Sequence, residues 1–248
     1  MSVKFFKKSV FAVFIAAMLL VSISSAAFAS GVDNQKSVTV ASYIQYLENF
    51  SVEDAQLSGV ADLELAQEAS ENAQSQLDKF LSLTSEEQQT FIEIINNPAI
   101  LENIYSQNVD DLGDYAKYVT YDSTTTEEVL PQQRAAAVSV MTITHEGVMK
   151  LFGLDLVKYR VTGKYSYDSS GVIEDLSTGG AVVQNYNPTV DTNLTWYDGY
   201  VSNNKYYGDV IFSYKIGVQG VGGVQLGNVY LGVVGDKNGK TGGYFYTE

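Results

Sequence analysis

The chain has 248 residues, no cysteine, one histidine and a formal charge of −14 at neutral pH, set by 29 acidic and 15 basic residues. So acidic a polypeptide repels phosphate backbones and anionic lipid surfaces before specific contacts form, which sets nucleic acid aside as a partner. The missing cysteine excludes disulfide staples and thiol chemistry, so an exported fold of this sequence rests on its core alone.

Lys4, Lys7 and Lys8 stand ahead of an apolar run from Val10 to Ile23, and Ala27-Phe28-Ala29 precedes Ser30. That order is the layout of a secretory signal peptide over residues 1–29, with cleavage after Ala29. The run is shorter than the roughly 20 residues that a membrane-spanning helix needs. Nothing downstream is apolar for longer, so the expectation is a secreted, extracellular protein with no transmembrane anchor. Losing the leader leaves 12 of the basic residues against all 29 acids.

The next stretch reads as helix. Val40, Tyr43, Ile44, Leu47 and Phe50 recur at three- and four-residue steps on one stripe. Ser51 with Asp54 looks like a cap, and Leu63, Ala66, Ala69, Ala73, Leu77, Phe80 and Leu81 continue the spacing along a second, longer helix. Thr84-Ser85-Glu86-Glu87 is a capping box for a helix through Phe91, Ile92, Ile94 and Ile95. Asn97-Pro98 then opens a short helix with Ile100, Leu101 and Ile104. Residues 30–110 are thus expected to form an acidic helical bundle.

Beyond Asp110 the vocabulary turns to Tyr, Val, Thr and Gly. Val157, Tyr159, Val161, Tyr165 and Tyr167 fall on one parity and Lys158, Arg160, Thr162, Lys164 and Ser166 on the other, which is a strand wetted on one face. Asp168 to Gly171 supplies a turn into a strand from Val172 to Tyr186. Further alternating runs cover Ala135–His145, Leu194–Val201, Tyr206–Ile216, Val224–Val234 and Gly242–Tyr246. Residues 111–133 are expected to hold a strand and linker, the linker being the threonine-rich stretch Ser123–Gln133. Residues 134–248 are expected to form an antiparallel β domain, as a sandwich or a curled sheet. The fold class is α+β. From Ser30 to Leu130 there are 19 acids against Lys36, Lys79 and Lys117, whereas the remainder is nearly balanced.

Candidate chemistry is sparse. His145-Glu146 opens like a zinc-protease motif, but position 149 is Met, so the second ligand is missing and the segment is strand-like. Asp155, Asp168, Glu174, Asp175, Asp191, Asp198 and Asp209 are available as carboxylates for glycoside chemistry, with no spacing that singles out two. Gly235-Asp236-Lys237-Asn238-Gly239 lacks the ligand ladder of a calcium loop and reads as a hairpin turn, its Asn-Gly pair tolerating positive φ. Gly220-Val221-Gly222-Gly223 has no helix after it and is no phosphate loop. No catalytic, cofactor or metal residues are assigned. Tyrosine is abundant, with 18 in the chain, and Trp196, Tyr197, Tyr200, Tyr206 and Tyr207 cluster in sequence. Such rings stack on sugars or anchor protein partners when a rigid sheet presents them, and otherwise serve as cross-strand packing.

Two stretches carry a resemblance: Leu83-Thr84-Ser85-Glu86-Glu87-Gln88-Gln89 through Asn97-Pro98, and Val183-Gln184-Asn185-Tyr186-Asn187-Pro188-Thr189-Val190. In that order, behind a leader and without cysteine, the chain resembles secreted bacillus proteins that include geobacillin-like large bacteriocins. The resemblance implies an exported antibacterial or competition factor. With the leader and the missing catalytic sets, the expectation is a non-enzymatic protein acting at the bacterial cell surface, and the Gly/Val-rich stretch Ile216 to Val234 is the one segment suited to insertion. It carries over no functional residues. The alternative expectation is an extracellular binding module for cell-wall glycan or a protein partner, working through the aromatic cluster.

Overall fold

Five helices begin where a side-chain oxygen serves the free amides of the first turn: α1 (Val40–Glu48), α2 (Val52–Leu57), α3 (Leu63–Ser82), α4 (Ser85–Ile95) and α5 (Pro98–Tyr105). Their caps are Thr39, Ser51, Asp62, Thr84 and Asn97. Thr84 and Glu87 bond reciprocally, and Pro98 occupies the first helical turn where its missing N–H costs nothing. This computed structural model describes residues 37–129, 138–217 and 224–248. The expected leader, the end of the expected linker and the glycine run 220–223 lie outside the described residues.

The cap at Ser51 opens a short helix of its own, and the long helix expected after it starts afresh at Asp62. The chain leaves α2 through a Schellman turn: Gly59 takes φ +109°, its N–H bonds Gln56 O at 3.2 Å, and Val60 N–H bonds Ala55 O at 3.0 Å. Gly59 is doubly required, because a Cβ there would run into the carbonyl of Thr192. Periodicity alone carries no sign of this stop, since the apolar stripe resumes after it.

Eight strands follow among the described residues: β1 (Val119–Val129), β2 (Ser139–Leu151), β3 (Leu154–Tyr167), β4 (Val172–Asn185), β5 (Val190–Ser202), β6 (Lys205–Gly217), β7 (Val224–Asp236) and β8 (Gly239–Thr247). They make two antiparallel four-stranded sheets, ordered β1-β2-β3-β4 and β5-β6-β7-β8. The chain is α+β. The threonine-rich stretch read as a linker is, through Val129, the outer half of β1, pairing Thr125 with His145 and Val129 with Met141. As an edge strand it is exposed on nearly every residue, so it lacks the alternation that marks its neighbours. The β7–β8 hairpin falls where the Asn-Gly pair suggests, but its tip is Lys237-Asn238 and only Gly239 has positive φ. Positive φ at both central residues occurs instead in two other hairpin turns, Phe152-Gly153 between β2 and β3 and Asn203-Asn204 between β5 and β6.

The inner faces of the sheets meet through tyrosines. Tyr206, fully buried, stacks on Tyr165 at 4.9 Å, and Tyr159 lies 4.7 Å from Phe212. A Cβ at Gly163 or Gly208 would collide with the Tyr206 ring, so the gap these glycines leave in β3 and β6 is what the ring fills. On β2 and β8 the fit is reciprocal: the His145 ring covers Gly243 and the Phe245 ring covers Gly147.

Helices and sheets are joined at the corner where the chain passes from β4 to β5. Asn185 donates to Ser58 O at 3.0 Å and Val190 O at 2.7 Å, and accepts from Asn187 N–H at 3.1 Å. Tyr186 donates to Ala69 O at 2.6 Å and accepts from Tyr43 at 3.3 Å. Thr189 donates to Ile95 O at 3.0 Å. Four helices thus fasten to one six-residue turn, and residues Ser37–Glu248 form a single unit. Among the described residues no helix is long and apolar enough to cross a membrane.

Asn185→Ala is expected to lower the unfolding free energy by about 3 kcal/mol, because it strands buried carbonyls on both sides of the corner. Urea denaturation followed by circular dichroism measures this, and helix and strand signals are expected to melt together. His145 supplies a second test. Its Nδ1 meets Thr125 Oγ1, its Nε2 is buried with no partner among the described residues, and burial, with Lys240 adding to it, holds its pKa below the ordinary 6.5. The unfolded chain therefore takes up this proton first, so stability is full above pH 6.5, falls as pH drops toward the lowered value and levels below it. Unfolding midpoints between neutral and mildly acidic pH are expected to show that loss, and His145→Gln to remove it.

Candidate functional site

The outer face of the second sheet gathers most of the exposed aromatic surface of the β region. Strand register sets out three rows across it. Tyr200, Tyr207, Val234 and Gly242 form the first, Asp198, Asp209, Gly232 and Tyr244 the second, and Trp196, Ile211, Tyr230 and Tyr246 the third. Successive rows are about 6.8 Å apart along the strands and neighbouring strands about 4.8 Å apart. Two cross-strand pairs lie flat on one another: Tyr200 on Tyr207 at 5.0 Å and 8°, and Tyr230 on Tyr246 at 5.0 Å and 6°. Trp196, Tyr200, Tyr244 and Tyr246 keep between 37% and 46% of their surface exposed.

Two local devices build this face. A bulge at Thr195 shifts the β5 register between Leu194 and Trp196, with Thr195 Oγ1 donating to Ile211 O at 3.0 Å. The extra residue turns Trp196 outward, onto the side of Asp198 and Tyr200; strict alternation from Leu194 would have turned it inward. On β7, Gly232 leaves room for the Tyr244 ring to lie across the strand, and the Tyr244 hydroxyl reaches Asp209 Oδ1 at 2.7 Å. Burial, followed by the Asp209 contact, pushes the Tyr244 phenol far above its ordinary pKa, and burial with Asp209 and Asp198 nearby raises Tyr200. These phenols stay protonated at neutral pH and act as donors.

Of the five aromatic residues singled out from the sequence, the structure brings together Trp196, Tyr200 and Tyr207. Tyr206 is fully buried between the sheets, bonded to Thr178 at 2.6 Å, and has no exposed surface with which to bind anything. Tyr197 is exposed but points to the opposite side of the edge strand β5 from Trp196, paired with inward-facing Val210. Tyr230, Tyr244 and Tyr246 complete the face and were not singled out. They come from strands 30 to 50 residues downstream of Trp196, and only sheet order makes them neighbours. The alternation of Tyr230, Gly232 and Val234, and of Gly242, Tyr244 and Tyr246, is the one sequence signal that points to them.

Of the seven candidate carboxylates, only Asp198 and Asp209 face each other across a strand pair. Asp155 is a structural group, tied to Gln184 at 2.9 Å and to Lys150 at 3.7 Å. Asp168 closes the β3–β4 turn onto Ser170. His145 sits in strand β2 and not on a helix, and among the described residues no three His, Asp or Glu side chains gather as metal ligands. The outer face of the first sheet is different in kind. A hollow of about 370 Å³ there is lined by Thr124, Thr126, Thr144 and Thr162, and its one cation, Arg160, is neutralised by Glu146 at 2.6 Å.

Comparison with known protein families, curated proteins and solved structures returns no match.

The geometry of the aromatic face makes its own prediction. Gly232→Ala is expected to lift the Tyr244 ring off β7 and break its bond to Asp209, at about 1 kcal/mol, with a changed near-ultraviolet circular dichroism spectrum. A spectrum unchanged by the substitution would show that the ring does not rest there.

Proposed function

We propose that this protein is a non-enzymatic extracellular binding module that docks onto cell-wall glycan through the outer face of the second sheet. The observation that carries this reading is the three-row array of Trp196, Tyr200, Tyr207, Tyr230, Tyr244 and Tyr246 on one face. Sugar rings present flat C–H faces that stack on aromatic rings, and their hydroxyls pair with phenols and carboxylates. A face that alternates stacked rings with Asp198 and Asp209 offers both. Rings held by cross-strand pairing lose little entropy on binding. In this reading the two sheets act as a β-sandwich and the acidic helices as a bundle fastened to its β4–β5 corner.

A bacteriocin-like role on other cells builds on the same face, since an antibacterial or competition factor first has to reach its target wall. Insertion of Ile216–Val234 is the less economical route, because β6 and β7 lie in the middle of the sheet and both ladders of β7 would have to open.

Retention of the purified secreted protein on isolated cell walls tests the proposal. Trp196→Ala and Tyr246→Ala are each expected to weaken retention about three- to tenfold, by the worth of one aromatic contact. Tyr197→Ala, on the same strand but the opposite side, is expected to leave it unchanged. A Trp196→Ala, Tyr246→Ala double variant that binds like the unaltered protein would sink the reading.

A further inference from the structure

The aromatic face has an unbalanced centre. Asp198 and Asp209 stand directly opposite one another on β5 and β6, an arrangement that like charges disfavour. Among the described residues neither has a Lys or Arg partner within 4.0 Å; the ion pairs there involve Lys150 and Arg160, both on the other sheet. The Tyr244 hydroxyl satisfies Asp209 Oδ1 only. No hydrogen bond holds Asp198 among the described residues, and its side chain is exposed. In the same and the neighbouring rows stand the rings of Tyr200, Tyr207, Tyr244 and Tyr246, and aromatic rings are electron-rich on their faces and attract cations.

The structure therefore carries two recognition elements on one plate: rings above and below the middle row for stacking, and an uncompensated double negative charge between them. We infer that the ligand of this face is a glycan bearing free amines, a polymer of de-N-acetylated amino sugar, whose ammonium groups sit between Asp198 and Asp209 while its sugar rings stack on the tyrosine rows. The inference rests on the glycan-binding reading and adds to it the charge of the sugar. An N-acetylated sugar brings no charge to the carboxylate pair. A phosphate-bearing wall polymer meets repulsion from both the pair and a chain of formal charge −14. A basic peptide satisfies the carboxylates but leaves the flat rings without flat partners.

Titration calorimetry of the intact secreted protein with three probes tests this: glucosamine hexamer, N-acetylglucosamine hexamer and hexalysine, each at low and high salt. Glucosamine hexamer is expected to bind at least about tenfold more tightly than the acetylated hexamer at low salt, and salt to remove most of that margin. Asp198→Asn and Asp209→Asn are each expected to lower affinity for the amine-bearing hexamer about two- to fivefold and to leave the acetylated one unaffected. Both variants relieve like-charge repulsion, so they are expected to fold at least as stably as the unaltered chain, and thermal melts check this. Equal affinity for the two sugar hexamers, lost together in Trp196→Ala, would overturn the amine assignment and leave the glycan reading standing. Hexalysine binding as tightly as glucosamine hexamer would overturn it in favour of a basic protein partner. Failure to bind any probe, with wall retention intact, would also overturn it; failure on walls as well would remove the glycan reading beneath it.

Discussion

The buried corner from Asn185 to Val190 is the constraint from which the remaining architecture follows. It lies where the chain crosses from one sheet to the other, and its polar groups are spent on the helices: Ser58 O, Ala69 O and Ile95 O each accept a hydrogen bond from it, and Tyr43 donates one to it. Buried polar groups of this kind cost several kcal/mol when unpaired and little when paired, so they work as a lock with one register. Asn185, Asn187, Thr189 and Thr192 are all buried, and their partners come from segments up to 127 residues away. The helices cannot be a detachable cap without leaving this turn unsatisfied.

A second physical theme runs from the core to the surface. Large rings in this protein repeatedly lie over glycines: Tyr206 over Gly163 of the facing sheet and Gly208 of its own strand, Phe245 over Gly147 of the facing sheet, Tyr244 over Gly232 of the adjacent strand. Inside, this brings the sheets close with no disulfide to hold them. Outside, the same packing lays the Tyr244 ring over β7 and fixes it on the outer face of the second sheet. A chain with no cysteine gets its rigidity from such packing and not from covalent staples.

The face owes its chemistry to an imbalance that the fold tolerates. Cross-strand like charges at Asp198 and Asp209 work against the sheet, by up to about 1 kcal/mol. Among the described residues no Lys or Arg pairs with either, while Glu146 and Arg160 on the other sheet are paired as usual. The β5–β6 pair is held by its own ladder and by the Tyr200–Tyr207 stack in the next row, which is why the repulsion persists in a stable sheet.

The sequence by itself determined most helix starts and the existence of strands β2 to β8: capping boxes at Thr84 and Ser51, Pro98 at a helix start, and the period-two runs are local, written in side-chain oxygens and alternating polarity within a few residues. It also carries the excess of tyrosine from which the aromatic surface is built. Only the tertiary structure decided which rings form that surface. A single bulge at Thr195 reverses the facing of everything after it on β5, the exposed edge strand β1 carries no alternation to read, and Tyr230, Tyr244 and Tyr246 join Trp196 through a sheet order that no local pattern encodes. The pairing of Asp198 with Asp209 has the same origin, since a cross-strand neighbour is fixed by register, and register is set by burial and turn geometry across the whole sheet.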